Sequence, residues 1–511
     1  MKKASITPFC ALCLMLIASV LFALLESARI YGLDYYASLK AEALMDSLCA
    51  EYQPLLWEQY GLLALDGAYG TEHFSEDYMT ERLSELYFMQ QTKTDNLFAQ
   101  KEVDLFRLSM EEPEITGYAL ATDKQGWLFL KYIAERMKEE LPIGIAVDIY
   151  EKYQQEDIVQ SEGLEHVIRE ADETLQWAES KKWREIEEKI DEAETEEEKE
   201  EARAESWVFW SSGVTKLEKL FGTVSELRAR GVLHMILGDE PYLSNKISKP
   251  ETYIAGRKKK EGTMQYTGEA DWYQKILVLE YLDKYFSSYG EERDGHYLDY
   301  EIEYIIAGKE VEWKNLEAVF EKLLLMREAA NVTYLMKNAE KMHQAENIAK
   351  AIALLIGENP GVIRVVQTGV IAAWAYAESI LDVRALVTGD VIPIMKSDEN
   401  WTLDIVDLFS VFQINNKAKV CENGMGYKEY LKLLLIPEKD ENMAYRMLEV
   451  MEMSLRKIPD YEHCKMEQMY LAIQYKFHFK SNPLFFSLIT VGNPKELGFH
   501  FGKEELRSYV P

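Results

Sequence analysis

The residues whose types and spacing could do chemistry lie in Ala377-Glu378-Ser379-Ile380-Leu381-Asp382-Val383-Arg384. Glu378 and Asp382 are four apart, so a helix places both carboxylates on one face. Two carboxylates on a face can ligate a metal or divide acid and base roles. Arg384 lies in the same segment, and Arg327 in Leu325-Met326-Arg327-Glu328 belongs to a neighbouring helical pattern. A buried acid normally needs a cationic partner, so the four residues are first read as a structural ion-pair network. The competing reading is a hydrolase site using Glu378 and Asp382.

Other chemistry is sparse. No phosphate-binding Gly-x-x-x-x-Gly-Lys-Ser/Thr loop, strand-linked Gly-x-Gly-x-x-Gly, His-Glu-x-x-His or Gly-x-Ser-x-Gly occurs. The eight histidines are scattered singly, which disfavours a local zinc motif. No cofactor or metal is expected, and the chain is not expected to be an enzyme. Asp299, Glu301 and Glu303 alternate with Tyr300 and Tyr304 like the exposed edge of a strand. Asn331-Val332-Thr333 matches a glycosylation acceptor inside a helical pattern. A disulfide between Cys421 and Cys464 is conceivable, but five scattered cysteines are no disulfide framework.

The elements that position these residues begin with an anchor. Ile6 to Leu25 is a run of twenty residues without a charge. As a helix it spans roughly 30 Å, the thickness of a bilayer core. Lys2 and Lys3 precede it, and Glu26 and Arg29 follow it. The two lysines favour a cytoplasmic N-terminus, with the remainder outside at the cell membrane. A cleaved signal peptide, a lipoprotein and a buried core helix are the alternatives. Cys10-x-x-Cys13 sits inside the run and reads as two small apolar residues. Beyond it Leu33, Ala37, Leu44, Leu48, Tyr52 and Leu55 keep a helical stripe up to the breaker Pro54.

The pattern predicts a predominantly helical α+β chain with five parts: a tip over 1–5, a transmembrane helix over 6–25, a region with helix and hairpin over 26–144, a charged helical hairpin over 145–238, and a mainly helical part over 239–511. Strands are expected over Glu102–Met110, Ile115–Leu120 and Tyr470–Phe479, and helices over 71–100, Trp127–Leu141, Tyr273–Tyr289, Leu316–Arg327 and Asn331–Ile356. Val362–Val387 reads as a central buried helix, because Arg364, Glu378, Asp382 and Arg384 interrupt it. The hairpin is expected to project, with Glu194–Glu201 as a solvated tip. The net charge of −31 disfavours nucleic acid as a partner.

Lys2-Lys3-Ala4-Ser5-Ile6-Thr7-Pro8-Phe9, the apolar run and Leu25-Glu26-Ser27-Ala28-Arg29 resemble the N-terminal segment of TadE/TadG-type pseudopilins of the tight-adherence (Flp) pilus. The 26–144 region is, on that resemblance, pilin-like. A prepilin site would place Glu at the fifth position, where Cys10 stands if cleavage follows Ser5. The remainder is similar to a family of uncharacterised membrane-anchored proteins of Gram-positive anaerobes, through Glu58–Asp66, Asp299–Lys309, Met326–Asn331 and Trp374–Arg384. The resemblance implies a surface-exposed accessory or minor component of a pilus or secretion assembly. Its partners would be the bilayer, through residues 6–25, and other membrane or pilus-assembly proteins.

Overall fold

The computed structural model describes residues 6–92, 105–141, 165–193, 195–210, 231–238, 243–248, 253–268, 271–356, 360–405, 416–485 and 498–510. In chain order the helices are α1 (Ile6–Cys49), α2 (Pro54–Tyr60), α3 (Glu76–Thr92), α4 (Trp127–Glu140), α5 (Glu165–Glu192), α6 (Glu196–Trp210), α7 (Val232–Leu237), α8 (Trp272–Tyr285), α9 (Glu301–Ala307), α10 (Glu312–Lys337), α11 (Ala339–Ile356), α12 (Pro360–Val387), α13 (Tyr427–Leu435) and α14 (Asp440–Arg456). The strands are β1 (Leu65–Asp66), β2 (Ser109–Met110), β3 (Glu114–Leu120), β4 (Met469–Ser481) and β5 (Phe499–Ser508). The architecture is predominantly helical α+β with one small antiparallel sheet.

Two compact units share the chain: Met1–Leu141 with Glu251–Tyr281 and Met447–Pro511, and Pro142–Pro250 with Leu282–Arg446. The residues expected as one part over 239–511 are therefore divided between them.

In the first unit β4 is the central strand. β5 pairs along one edge from Ala472 to Ser481, and β3 then β2 pair along the other. β4 alternates in the manner of a half-buried strand: Ile473, Tyr475, Phe477 and Phe479 point into the core, and Lys476 is exposed. That face is covered by α1 and α3. Leu33, Ala37, Ala41, Leu44 and Leu48 of α1 meet Met79, Leu83 and Tyr87 of α3 and the aromatic row of β4 in one core. Spacings of three and four keep the α1 residues on one side through four turns. Pro8 falls in the first turn of α1, where its missing N–H costs no hydrogen bond. Pro54 opens α2, and Gly61 closes it with φ 65°, a conformation that only glycine adopts cheaply.

Several local expectations need correction. The strand expected over Glu102–Met110 is only Ser109–Met110 within the described residues; Arg107 has φ 44°, and Val103 lies outside them. The helix expected over 71–100 starts at Glu76 and runs to Thr92; residues 93–100 lie outside the described residues. The third expected strand is present as β4, and the second as β3. All five cysteines are free, so the Cys421–Cys464 bridge is not formed.

In the second unit α12 is buried without interruption from Gly369 to Leu386, as its apolar sequence requires. α10, α11 and α5 pack along it. The break expected between Arg327 and Asn331 falls instead at Asn338, whose Oδ1 accepts the Lys341 N–H at 3.1 Å and caps α11. Of the charged hairpin expected over 145–238, α5 and α6 are described, while 145–164 and 211–230 lie outside the described residues. The hairpin is seated on the unit along α5, with Ala171 and Ile186 fully buried, so it does not project along its whole length. Thr195 and Glu198 form a reciprocal capping box at the start of α6: the Thr195 N–H donates to Glu198 at 3.0 Å, and the Glu198 N–H donates to the Thr195 hydroxyl at 3.2 Å. Glu196, Glu197 and Glu198 thus occupy a first helical turn, where negative charge is favourable; Glu194 lies outside the described residues.

Candidate functional site

The segment with candidate chemistry is a closed ionic cluster between α10 and α12. Arg327 and Asn331 are one turn apart on α10, and Glu378 and Asp382 one turn apart on α12. The Arg327 Nε donates to Asp382 Oδ2 at 3.0 Å, and Asn331 Nδ2 donates to the same oxygen at 3.0 Å. The other Asp382 oxygen lies 2.6 Å from the Lys396 ammonium, which also contacts Glu378. Glu378 accepts the backbone N–H groups of Thr402 and Leu403, each at 2.9 Å. Arg327 Nη1 reaches the carbonyls of Pro393 at 3.0 Å and Ile394 at 2.7 Å and the Tyr430 hydroxyl at 2.9 Å, and Nη2 donates to Asn331 Oδ1 at 3.3 Å.

Two cations and two carboxylates balance, and all four side chains are 0% exposed. Burial alone would raise the Asp382 carboxyl, but the charges of Arg327 and Lys396 outweigh it and hold it below its ordinary range. Chemistry by Glu378 or Asp382 would require a substrate to reach groups that are fully buried and already paired. The cluster instead locks the loop after α12 to two helices. The described residues contain no group of three His, Cys, Asp or Glu able to hold a metal.

Arg384 has a different setting. Its Nε donates to the Met235 carbonyl at 2.9 Å, and Nη1 to that of Asn416 at 3.1 Å; burial lowers it to about 10. Lys396 is the member that sequence reasoning missed. It sits in a loop, and only the need for positive charge beside two buried acids pointed to it.

The stretch from Asp299 to Tyr304 is not a surface strand. Glu301 and Glu303 lie in α9 and are fully buried, as is Tyr304. Glu301 faces His296 Nδ1 at 2.8 Å and accepts the Ser287 N–H at 2.9 Å. Glu303 accepts the Tyr289 N–H at 2.9 Å and the Tyr427 hydroxyl at 2.8 Å. Burial pushes its carboxyl up to about 7, against those two hydrogen bonds. Glu312 accepts the Tyr300 N–H at 2.6 Å. These acids pin the backbone that leads from α8 into α9 and α10.

The junction below the sheet is the third polar site. Glu26 and Arg29, expected as flanks of the anchor, are buried. They pair at 2.7 Å across one helical turn. Arg29 also donates to the carbonyl of Phe106 at 2.6 Å, that of Asn482 at 3.1 Å, and the Ser481 hydroxyl at 2.6 Å. Glu26 accepts the N–H groups of Leu484 at 3.1 Å and Phe485 at 2.6 Å. One helical turn of α1 is thereby fixed to the end of β4. Lys2 and Lys3 lie outside the described residues. α1 is long and apolar enough to cross a membrane, and its most apolar window has no buried face.

No curated protein and no solved structure matches the chain. The model of one family, described as "Family of unknown function (DUF5702)", matches residues 211–481, from ahead of α7 to the last residue of β4. The chain belongs to this family.

Proposed function

We propose that the protein is a membrane-anchored, extracytoplasmic and non-enzymatic component that works through protein–protein contacts, in the setting of a tight-adherence pilus or secretion assembly. The observation that carries the anchoring is the continuity of α1. Its first twenty residues have no charge, and the same helix runs on through Glu26 and Arg29 into the core of the first unit. A cleaved signal sequence has no reason to share an unbroken helix with a folded core. Here a cut after Ala28 would remove Glu26 and leave Arg29 without its carboxylate partner. The paired, buried state of Glu378 and Asp382 supports a non-enzymatic reading. The assembly setting is supported by the pseudopilin-like pattern of the N-terminal segment alone.

The test is protease digestion of a C-terminally tagged chain on intact protoplasts, with the N-terminus of the membrane-bound form sequenced. Digestion from outside with Met1 or Lys2 retained is expected. A start at Ile6 would mark prepilin-type trimming. A start at Leu24 or further along the chain, or a protected tag, would overturn the proposal.

A further inference from the structure

At the point where α1 leaves its uncharged run, a second uncharged element meets it. After β4 the chain turns at Asn482 and comes back against the helix. Leu484 and Phe485 give their N–H groups to Glu26, and the Phe485 ring stacks on Phe22 with centroids 6.2 Å apart. Phe22 belongs to the uncharged run, so Phe485 reaches below Glu26 onto the lipid side of the junction. No charged residue occurs in the sequence between Lys480 and Lys495. Leu105, whose backbone is tied to Arg29, has its side chain 52% exposed, and Tyr31 is 81% exposed.

Helix rise sets their depths. Phe22 lies about 5 Å below Leu25 and Tyr31 about 9 Å above it. The headgroup layer extends roughly 5–8 Å beyond the hydrocarbon core on each side. Phe485 therefore falls at the acyl boundary, with Leu105, tied to Arg29, at headgroup level and Tyr31 at the outer limit of that layer. Two features make this end of the sheet fit for immersion. The charges of Glu26 and Arg29 are consumed by each other and by backbone groups, so they do not oppose transfer. Lys480, one residue from Ser481 in the register of β4 with β5, brings positive charge to the depth of lipid phosphates.

We propose that Leu484 and Phe485, flanked by Leu105 and Tyr31, form a lipid-contacting face seated in the interfacial layer of the bilayer that α1 spans. The partner is phospholipid, because the face is continuous with the lipid-exposed surface of the anchor. The proposal rests on the membrane-spanning reading of α1. It makes the first unit a body seated on the membrane at two points rather than one swinging from a single helix.

The test uses the full chain in vesicles of phosphatidylcholine with one-quarter phosphatidylglycerol. Cys10, Cys13 and Cys421 are replaced by alanine. Single cysteines at Ile17, Glu42, Leu105 or Phe485 carry an environment-sensitive dye, and the chain retaining only Cys49 and Cys464 supplies the background. A lipid with a nitroxide on its fifth acyl carbon is the quencher. Quenching at Phe485→Cys should approach that at Ile17→Cys and exceed that at Glu42→Cys by about threefold, with Leu105→Cys at least about twofold above Glu42→Cys. Equal, low quenching at Phe485, Leu105 and Glu42 with strong quenching at Ile17 overturns the proposal and leaves the anchor standing. Low quenching at Ile17 overturns the anchor itself. A blue-shifted but unquenched dye at Phe485 reports a protein covering this face and also overturns the proposal. Leu105→Cys guards against local unfolding, since its side chain is exposed and gives up little packing.

Discussion

Replacing Lys396 by methionine removes the ammonium that contacts both Glu378 and Asp382. Asp382 keeps Arg327 and Asn331, each at 3.0 Å. Glu378 keeps the N–H groups of Thr402 and Leu403, its remaining polar contacts among the described residues. An unpaired carboxylate in that interior is costlier than a protonated one, so the Lys396→Met chain takes up a proton on folding. An ordinary glutamate carboxyl titrates near about 4.3, so that uptake costs about 3.7 kcal/mol at pH 7 and about 1 kcal/mol at pH 5. The folded variant holds more protons than its unfolded form, so its deficit grows as pH rises. Hydrogen exchange of the α12 backbone in mild denaturant is the assay, since it reads the stability of the second unit at the helix that carries the cluster. The expected result is protection lowered by about 3–4 kcal/mol at pH 7 and about 1 kcal/mol at pH 5. Adding Glu378→Gln should restore most of the loss and flatten its pH dependence. A loss of equal size at both pH values, or no recovery in the double variant, would refute the reasoning.

Three further outcomes are expected. Glu303 keeps its proton to about pH 7 through burial, so the folded form binds a proton that the unfolded form has released between roughly pH 4.5 and 7. The stability this gives is complete at acid pH and fades through neutrality, so Glu303→Gln should match the parent at pH 5 and exceed it by on the order of 2 kcal/mol at pH 8 in thermal unfolding. Arg29→Met leaves Glu26 buried without its cation and several carbonyls without donors; it should cost about 3–5 kcal/mol in the first unit and show as faster tryptic cleavage in vesicles, and unchanged cleavage would refute the clamp. Gly67→Ala would put a methyl carbon 2.6 Å from the Gln468 carbonyl and should cost about 1–3 kcal/mol, read as a lowered melting temperature.

What could be read from sequence depended on contrast. The α1 stripe at Leu33, Ala37, Leu44 and Leu48 was legible because its other side is polar and exposed. α12 was legible because an apolar run with four charges suits an interior and not a bilayer. Arg327 with Asp382 followed from the rule that buried acids seek cations. α9 was misread because all its faces from Glu301 to Ile306 are buried, so no amphipathic contrast marks its period, and its two buried carboxylates, Glu301 and Glu303, look like a surface in the sequence. The burial of Glu26 and Arg29 was not legible because their partners at Ser481 to Phe485 come from the far end of the chain, a distance that local pattern does not see. Lys396 stayed hidden for the same reason, a loop residue defined only by what two helices bring to it.

The interleaving of the first unit sets the order in which it can be made. The sheet has β4 at its centre, and β1, β2 and β3 have no strand partner among the described residues until it arrives. At about 5–20 residues per second, the ribosome needs roughly 17–70 s to pass from Leu120 to Met469. Throughout that interval α1 is already made, and its apolar stripe waits for a strand not yet synthesised. A chain that stops anywhere before Ser481 can therefore carry α1 complete and yet never close its core, which turns completion of the C-terminus into a checkpoint on the whole first unit.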